Sequence, residues 1–485
     1  SEFLDLMANL GGHCVPTLIK VFEKVKDDKP TAFIAYTIKG WGTPLAGHKD
    51  NHAGLMTKAQ MNSFKLKYGI SDGNEWHRFS DEKNNIELDQ YIKNLPFQKA
   101  KHRKYKSKKV SVDENIFIKE TRISTQNAFG KILDQYAKNN TEFSQRIITT
   151  SPDVSVSTNL GPWINRKGLF NRKESSDTFK DRKIPSAQKW IFSSQGQHIE
   201  LGIAEMNLFL MLGAAGLSHE FFGERLFPIG TVYDPFISRG LDAMNYACYQ
   251  DARFMIVGTP SGISLAPEGG AHQSIGTPLI GISQPGLLSF EPAFADELAL
   301  IMNYGFNFLQ DEDGGSIYLR LSTRSIDQPL REMDNELKKN IIKGGYWLKK
   351  PGPNPEVIII YQGAVASEVI EATAFLGERF KDLGVLSVTS SDNLFHEWKK
   401  QALSFKNNKT QSHIEKLLES VPKDTRIITV IDGHPMTLSW IGSVYGHKTI
   451  PLGIDQFGQT GNIIDLFNEF GIDTNNISNL GFNLS

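Results

Sequence analysis

RLFPIGTVYDPFISRGLDAMNYACYQDARFMIVG, residues 225–258, is the stretch that decides the fold. It opens on an apolar run short enough for a strand (RLFPIGTVY), turns helical from about Phe236, and closes on a second short apolar run, RFMIVG. Strand, helix and strand in succession are the repeating unit of a parallel sheet covered on both faces. Ligand sites of such sheets lie outside the carboxyl ends of the strands.

The same alternation extends in both directions. On the amino-terminal side a helical stretch runs near Glu200 to Ala215, and a strand-like RIITTSPDV lies before it. Earlier still, Ser124 or Thr125 can cap a helix whose apolar face is Phe129, Ile132, Leu133 and Tyr136. On the carboxyl-terminal side come LLSF, a helix in PAFADELALIM and a strand in SIYLRLS. Asp334 to Pro355, rich in Lys, Gly and Pro, reads as an interdomain connection. Beyond it EVIIIYQ, a helix near Glu368 to Leu376, GVLSVTS and RIITVIDG form a second α/β domain of ordinary size. At the other end of the chain, Thr31 to Thr37 (TAFIAYT) reads as a strand entering the loop IKGWGTPLAGHKDNHAG. The basic run Lys99 to Lys109 (KAKHRKYKSKK) reads as a solvated linker. The expected parts are therefore 1–110, 111–333 and 334–485.

Bulk properties exclude several functions. The 485 residues carry 53 Lys+Arg against 54 Asp+Glu, a formal net charge of −1, so no global field recruits nucleic acid or an anionic membrane. The apolar stretch around Leu208 to Leu217 falls short of the ~20 residues that span a bilayer. Cys14 and Cys248 lie far apart and form no metal spacing, which fits a reducing compartment; both read as buried small residues. The opening SEFLDLMANL has no basic region before its apolar residues, so no signal peptide is expected and the location expected is cytoplasmic.

Candidate site residues fall at strand ends and helix starts. His48 and His52 lie in the first loop, Asp153 follows RIITTSP, and Glu205 sits in GIAEMN. Tyr233 and Phe236 follow PIGTV, and Glu268 and His272 lie in PEGGAHQS. Singly each is weak, because a Glu in an apolar helix is more often paired than catalytic and an aromatic at a strand end is usually core.

Their order and spacing are more specific. TIKGWGTPLAGHKDNHAG resembles the histidine loop of transketolases and of homodimeric pyruvate dehydrogenase. HIELGIAEMNLFLMLGAAG resembles the helix bearing the activating glutamate of thiamine-diphosphate enzymes. VYDPFISRGLDAM resembles the aromatic helix start that holds the cofactor's pyrimidine, and PEGGAHQSIGTP the loop with a second active-site histidine. LLSFEPAFADELALIM, GVLSVTS and IPLGIDQFGQTGNIIDLFNEFGID look closer to the homodimeric pyruvate dehydrogenase decarboxylating component than to transketolase. The resemblance implies an α/β, parallel-sheet thiamine-diphosphate-binding fold with a carboxyl-terminal transketolase-like α/β domain. It also implies a homodimer, a 2-oxoacid substrate and a partner acyltransferase bearing a lipoyl group.

The chemistry explains these residue types. Thiamine's reactive carbon loses a weakly acidic proton to the cofactor's own aminopyrimidine in its imino form, and a carboxyl group on the pyrimidine nitrogen favours that form. The resemblance gives this place to Glu205, whose neighbours Ile203, Met206 and Leu208 would desolvate the carboxylate and help it keep a proton to share. Phe236 would stack on the pyrimidine with Tyr233 beside it. His52 and His272 would orient the substrate carbonyl and exchange protons. Asp153 and Glu268 would order the thiazolium side and the histidines, and His48 would support substrate binding. Arg324, in RLSTRSI, resembles an arginine that takes sugar phosphate in transketolases; its planar guanidinium suits an oxoacid carboxylate equally, and a salt bridge is the favoured reading of the residue taken singly.

One element of the family is missing from the sequence. The superfamily holds the diphosphate through Mg²⁺ on a GDG motif followed by an Asn, and no GDG occurs here. SDGNEW at Ser71 and DEDGG at Asp311 read as chance turns. Metal ligands are therefore expected upstream of this chain, which reads as a proteolytic or engineered fragment with SEF as a cloning scar. Three functions stay open: oxidative decarboxylation of a 2-oxoacid, ketol transfer of the transketolase or deoxyxylulose phosphate synthase kind, and a non-catalytic scaffold.

Overall fold

The computed structural model of the chain describes residues 3, 10–27, 29–77, 85–95, 98, 107–173, 181–185, 188–404 and 410–483. Two compact units divide at His102 and Arg103.

In the first unit the described helices are Val15–Phe22, Lys58–Lys67 and Asn85–Asn94, the second opened by a capping box between Thr57 and Gln60. TAFIAYT is not a strand: no partner segment among the described residues pairs with it, and an extended chain without a ladder leaves its backbone groups to water. Cys14 is half-buried rather than buried, with the Thr17 hydroxyl donating to its sulfur. Of the basic run, residues 99–106 lie outside the described residues. Lys109, at its end, pairs with Asp311 at 2.7 Å.

The second unit holds both α/β layers. Its strands, in chain order, are β1 (Arg122–Ile123), β2 (Ile147–Ser151), β3 (Leu169–Phe170), β4 (Phe192–Ser193), β5 (His198–Glu200), β6 (Phe227–Val232), β7 (Met255–Gly258), β8 (Leu287–Phe290), β9 (Ser316–Arg320) and β10 (Ile326–Asp327). These are followed by β11 (Gly345–Lys349), β12 (Val357–Gln362), β13 (Gly384–Val388), β14 (Arg426–Ile431) and β15 (Thr449–Leu452). One sheet has the order β4-β3-β5-β2-β6-β7-β9-β8 and is parallel throughout. β1 and β10 form a separate antiparallel pair. The second sheet has the order β11-β13-β12-β14-β15, with β11 antiparallel at its edge.

Helices cover both faces of the large sheet. On one side Thr125–Asn139, capped by Ser124, buries Phe129, Ile132, Leu133 and Tyr136 against Ala295–Phe308. Tyr136, Phe143, Phe227 and Phe306 meet there edge to face, an arrangement aromatic rings favour over flat stacking. On the other side Glu205–Gly216 and Leu241–Tyr249 bury Leu208, Phe209, Leu212 and Met244. The helix thus starts at Glu205, not near Glu200. Glu200 ends β5 instead, where the chain pairs with β2 before it turns.

Asp334 to Pro355 is not a bare connection. Asp334 caps the helix Asn335–Lys343 by accepting from the Leu337 N–H, and β11 follows at once. The exposed lysines set the composition, while Ile341 and Tyr346 go into the core beneath them.

Between Glu205–Gly216 and β6, the short helix Ser218–Phe222 buries His219 beside Arg225. Burial pushes the imidazole down to about 4, and the neighbouring guanidinium adds to the effect. The unfolded chain takes up this proton below about 6.5 and the folded chain only below about 4. The contribution of neutral His219 is therefore complete above about 6.5 and is lost as pH falls from there to about 4. Melting curves across this window should show Tm falling with acid, with a shallower slope in His219→Gln.

Candidate active site

Strand order in the large sheet reverses at β2. The chain leaves β2 for β3, β4 and β5 on one flank and returns to β6 on the other, so a crevice opens at the carboxyl ends of β5, β2 and β6. Asp153, Glu205 and Tyr233 follow β2, β5 and β6 in that order.

The turn after β6, Asp234–Gly240, places Phe236 in a ring cluster. Tyr233 and Phe236 lie nearly parallel with centroids 6.0 Å apart, and the His272 ring stands edge-on to both, at 6.0 and 5.4 Å. Glu205 joins this cluster through Arg239. The guanidinium lies 3.8 Å over the Phe236 ring and donates to the Glu205 carboxylate, whose side chain is 12% exposed. Beside these residues a cavity of about 680 Å³ is lined by Ser238, Leu241, Ala271, Ile275, Ile280 and Phe457, among others.

The surroundings of Glu205 correct one expectation. Ile203 is 79% and Met206 42% exposed, and only Leu208 is buried. Ile203 precedes the helix and Met206 faces outward from its first turn, so burial by these two does not desolvate the carboxylate; Arg239 covers it.

Asp153 takes a different role from its neighbours. It sits in a left-handed conformation, φ 64°, and its N–H donates to Glu200 at 2.8 Å. Glu200 also accepts from the Leu201 N–H and from Ser155, which in turn meets the buried His198. Burial opposes the charge of Glu200, yet hydrogen bonds from His198, Ser155 and the Asp153 N–H outweigh it and hold the carboxyl below its ordinary range. Glu268 is exposed. Arg324 is bidentate to Glu368, donates to the Ala364 carbonyl at 3.0 Å and lies 4.7 Å over Phe467, so its donors are taken within the chain. His48 and His52 belong to the first unit, where His48 caps the turn Lys49–His52 and Lys39 meets His52 Nδ1 at 2.6 Å.

Sequence reasoning missed the group that holds this arrangement. Arg320, at the end of β9 and 2% exposed, donates to Asp234 at 2.9 Å, to Glu291, to Ser274 Oγ at 3.1 Å and to the Asp432 carbonyl at 2.8 Å. Asp234 also accepts from the hydroxyls of Tyr318 and Thr277. Glu291 accepts from Gln362 at the end of β12. The Asp432 carboxylate, after β14, takes the N–H groups of Ile263 and Ser264 at 2.8 and 3.0 Å. One buried guanidinium therefore ties the Phe236 turn, the segment after His272 and the second sheet. Burial opposes its charge, but Glu291 and Asp234 more than compensate and keep it protonated. Gly262 and Gly363, at φ 67° and 70°, press against the carboxylates of Asp432 and Glu291, where a methyl group would collide. The available signals were Arg320 inside the apolar run SIYLRLS and Asp234 between the two aromatics.

Residues 108–329 match the family described as pyruvate dehydrogenase E1 component middle domain, and residues 344–473 the transketolase-like TK C-terminal domain. The chain belongs to the thiamine-diphosphate-dependent, transketolase-like superfamily. Among its curated superfamily relatives, the pyruvate dehydrogenase E1 component of Escherichia coli K12 is 25% identical over 417 residues, covering 80% of this chain and 46% of the relative. The protein of that name from Buchnera aphidicola (subsp. Acyrthosiphon pisum) is 25% identical over 412 residues, with the same coverage. The chain thus spans about half the length of the curated relatives it matches. Transketolase from Leishmania mexicana shares the superfamily fold, with a TM-score of 0.71 at 17% identity over 97% of this chain and 64% of that one.

The geometry offers a test of fit for the cofactor of this superfamily. Phe236 and Glu205 together hold a flat, N–H-bearing group, the Arg239 guanidinium, by one stacked face and one carboxylate. An aminopyrimidine asks for the same two contacts, so the residues fit that half of thiamine diphosphate.

Proposed function

We propose that the chain contributes the pyrimidine-binding half of an enzyme that decarboxylates a 2-oxoacid, pyruvate first among candidates. The acyl group would pass to the lipoyl group of a partner acyltransferase. The observation that carries this reading is the pair Glu205 and Phe236 at the sheet's switch point, closed on a planar nitrogen group. Resemblance to proteins named pyruvate dehydrogenase E1 component favours the oxoacid over the ketose.

The chemistry that thiamine diphosphate supplies when bound is a nucleophilic carbon and an electron sink. This chain's residues do the rest. Phe236 stacks on the pyrimidine with Tyr233 behind it, and Glu205 holds a proton at the ring nitrogen. His272, edge-on to both aromatics, orients the substrate carbonyl oxygen and exchanges its proton. Asp153 and Glu268 order the surroundings, and Arg324 takes the substrate carboxylate once it releases Glu368. For His52 and His48 the proposed roles are those that the resemblance implies, orienting the substrate carbonyl and supporting substrate binding. Mg²⁺, where bound, would neutralise charge on the cofactor's diphosphate, and no residue of this chain is assigned to it.

The working form we propose is a cytoplasmic homodimer with parts at 1–110, 111–333 and 334–485. In support, Met206 and Leu210 on the Glu205 helix and Tyr246 and Tyr249 on the adjoining helix Leu241–Tyr249 expose apolar surface that a second copy would cover. No helix among the described residues is long and apolar enough to cross a membrane.

The full-length protein, given thiamine diphosphate and Mg²⁺, should reduce an artificial electron acceptor with pyruvate. It should leave a ketose phosphate with an aldose acceptor unreacted. Turnover of the ketose alone refutes the oxoacid reading, and loss of both activities favours a scaffold.

A further inference from the structure

Arg239 touches both halves of the proposed pyrimidine subsite. Its guanidinium covers the face of Phe236 at 3.8 Å and its N–H points into the Glu205 carboxylate. The two contacts occupy the ring face on which a pyrimidine stacked on Phe236 would lie and one oxygen of the carboxylate it would meet, so the guanidinium and the ring compete for the same space. The Arg239 side chain is still 53% exposed, on a turn whose anchor is Asp234 rather than itself. It can therefore leave through solvent without disturbing the core.

We propose that Arg239 is an intramolecular stand-in for the cofactor's aminopyrimidine, a positioning residue that fills the subsite when it is empty and must swing away for the ring to enter. The inference rests on the assignment of Glu205 and Phe236 to the pyrimidine. Its consequences are twofold. Glu205 and Phe236 are held in binding geometry before the ligand arrives, since a planar cation already aligns them. Affinity for the pyrimidine is lowered by the contacts that Arg239 gives up. A half-exposed ion pair and a stacked cation of this kind together lower affinity about tenfold.

The test uses the whole chain and the neutral probe 4-amino-5-hydroxymethyl-2-methylpyrimidine, titrated by ligand-observed NMR, with thiamine diphosphate titrated in parallel by calorimetry. Arg239→Ala should bind the probe about tenfold more tightly than wild type, and Arg239→Lys, which keeps the charge but loses the flat plate, should fall between them. Raising ionic strength should tighten binding to wild type, because salt weakens the competing pair, and leave Arg239→Ala unchanged. Melting temperatures of the variants should match wild type. If Arg239→Ala binds no better than wild type, whether equally, less tightly or undetectably, the inference is overturned. Phe236→Ala separates the two ideas. If it weakens probe binding while Arg239→Ala brings no gain, only the stand-in fails; if it leaves the Arg239→Ala affinity intact, the subsite assignment fails.

Discussion

Arg320→Met should destabilise the second unit by about 3–5 kcal/mol, the cost typical of removing one partner from a buried ion cluster. The side chain is 2% exposed, and its loss leaves the carboxylates of Asp234 and Glu291 facing each other without a cation. Methionine fills the volume, so the loss reports on charge rather than on a cavity. Burial already pushes Glu291 up to about 7 with Arg320 in place. Without the arginine, Glu291 escapes the penalty by taking up a proton, so the deficit should shrink as pH falls from 7 towards 5. Adding Glu291→Gln should recover part of the loss at pH 7. A deficit below about 1 kcal/mol by chemical denaturation at pH 7, or one that grows in acid, would show that the cluster is not what holds these segments.

Glu205→Gln should lower turnover about 10²–10⁴-fold, the range typical of losing a positioned proton donor. Glutamine keeps the length and planarity of the side chain and can still meet a ring nitrogen. It cannot supply a mobile proton there. The loss should therefore fall on kcat, with little change in the affinity for thiamine diphosphate. Near-normal kcat in this variant removes the central functional claim. A kcat loss accompanied by an equal loss of cofactor binding would assign Glu205 a holding role only.

Much of the architecture could be read from pattern alone. β6, β7, β12, β13 and β14 are short apolar runs, and the helix Thr125–Asn139 shows its buried face at helical spacing, because the apolar pattern that marks each element lies within its own residues. The misreadings share a physical cause. Asp334–Pro355 wears its lysines outward, so composition masked the burial of Ile341 and Tyr346. TAFIAYT has the apolar content of a strand, but pairing depends on a neighbour that local sequence does not reveal. That Glu205, Phe236 and His272 gather in one place was legible because the resemblance sets each within a motif. Their support was not: Asp234, Glu291, Arg320 and Asp432 come from four separate strand ends, and no local pattern records that they meet.

The Asp432 carboxylate closes the turn at Ile263 and Ser264 from the other sheet. A turn that borrows its cap across a layer boundary cannot be complete until its neighbour is folded, so the folding of one layer is coupled to that of the other. Exchange of either layer for a homologous one would have to carry the matching carboxylate with it. The pair must be inherited, and engineered, as one body.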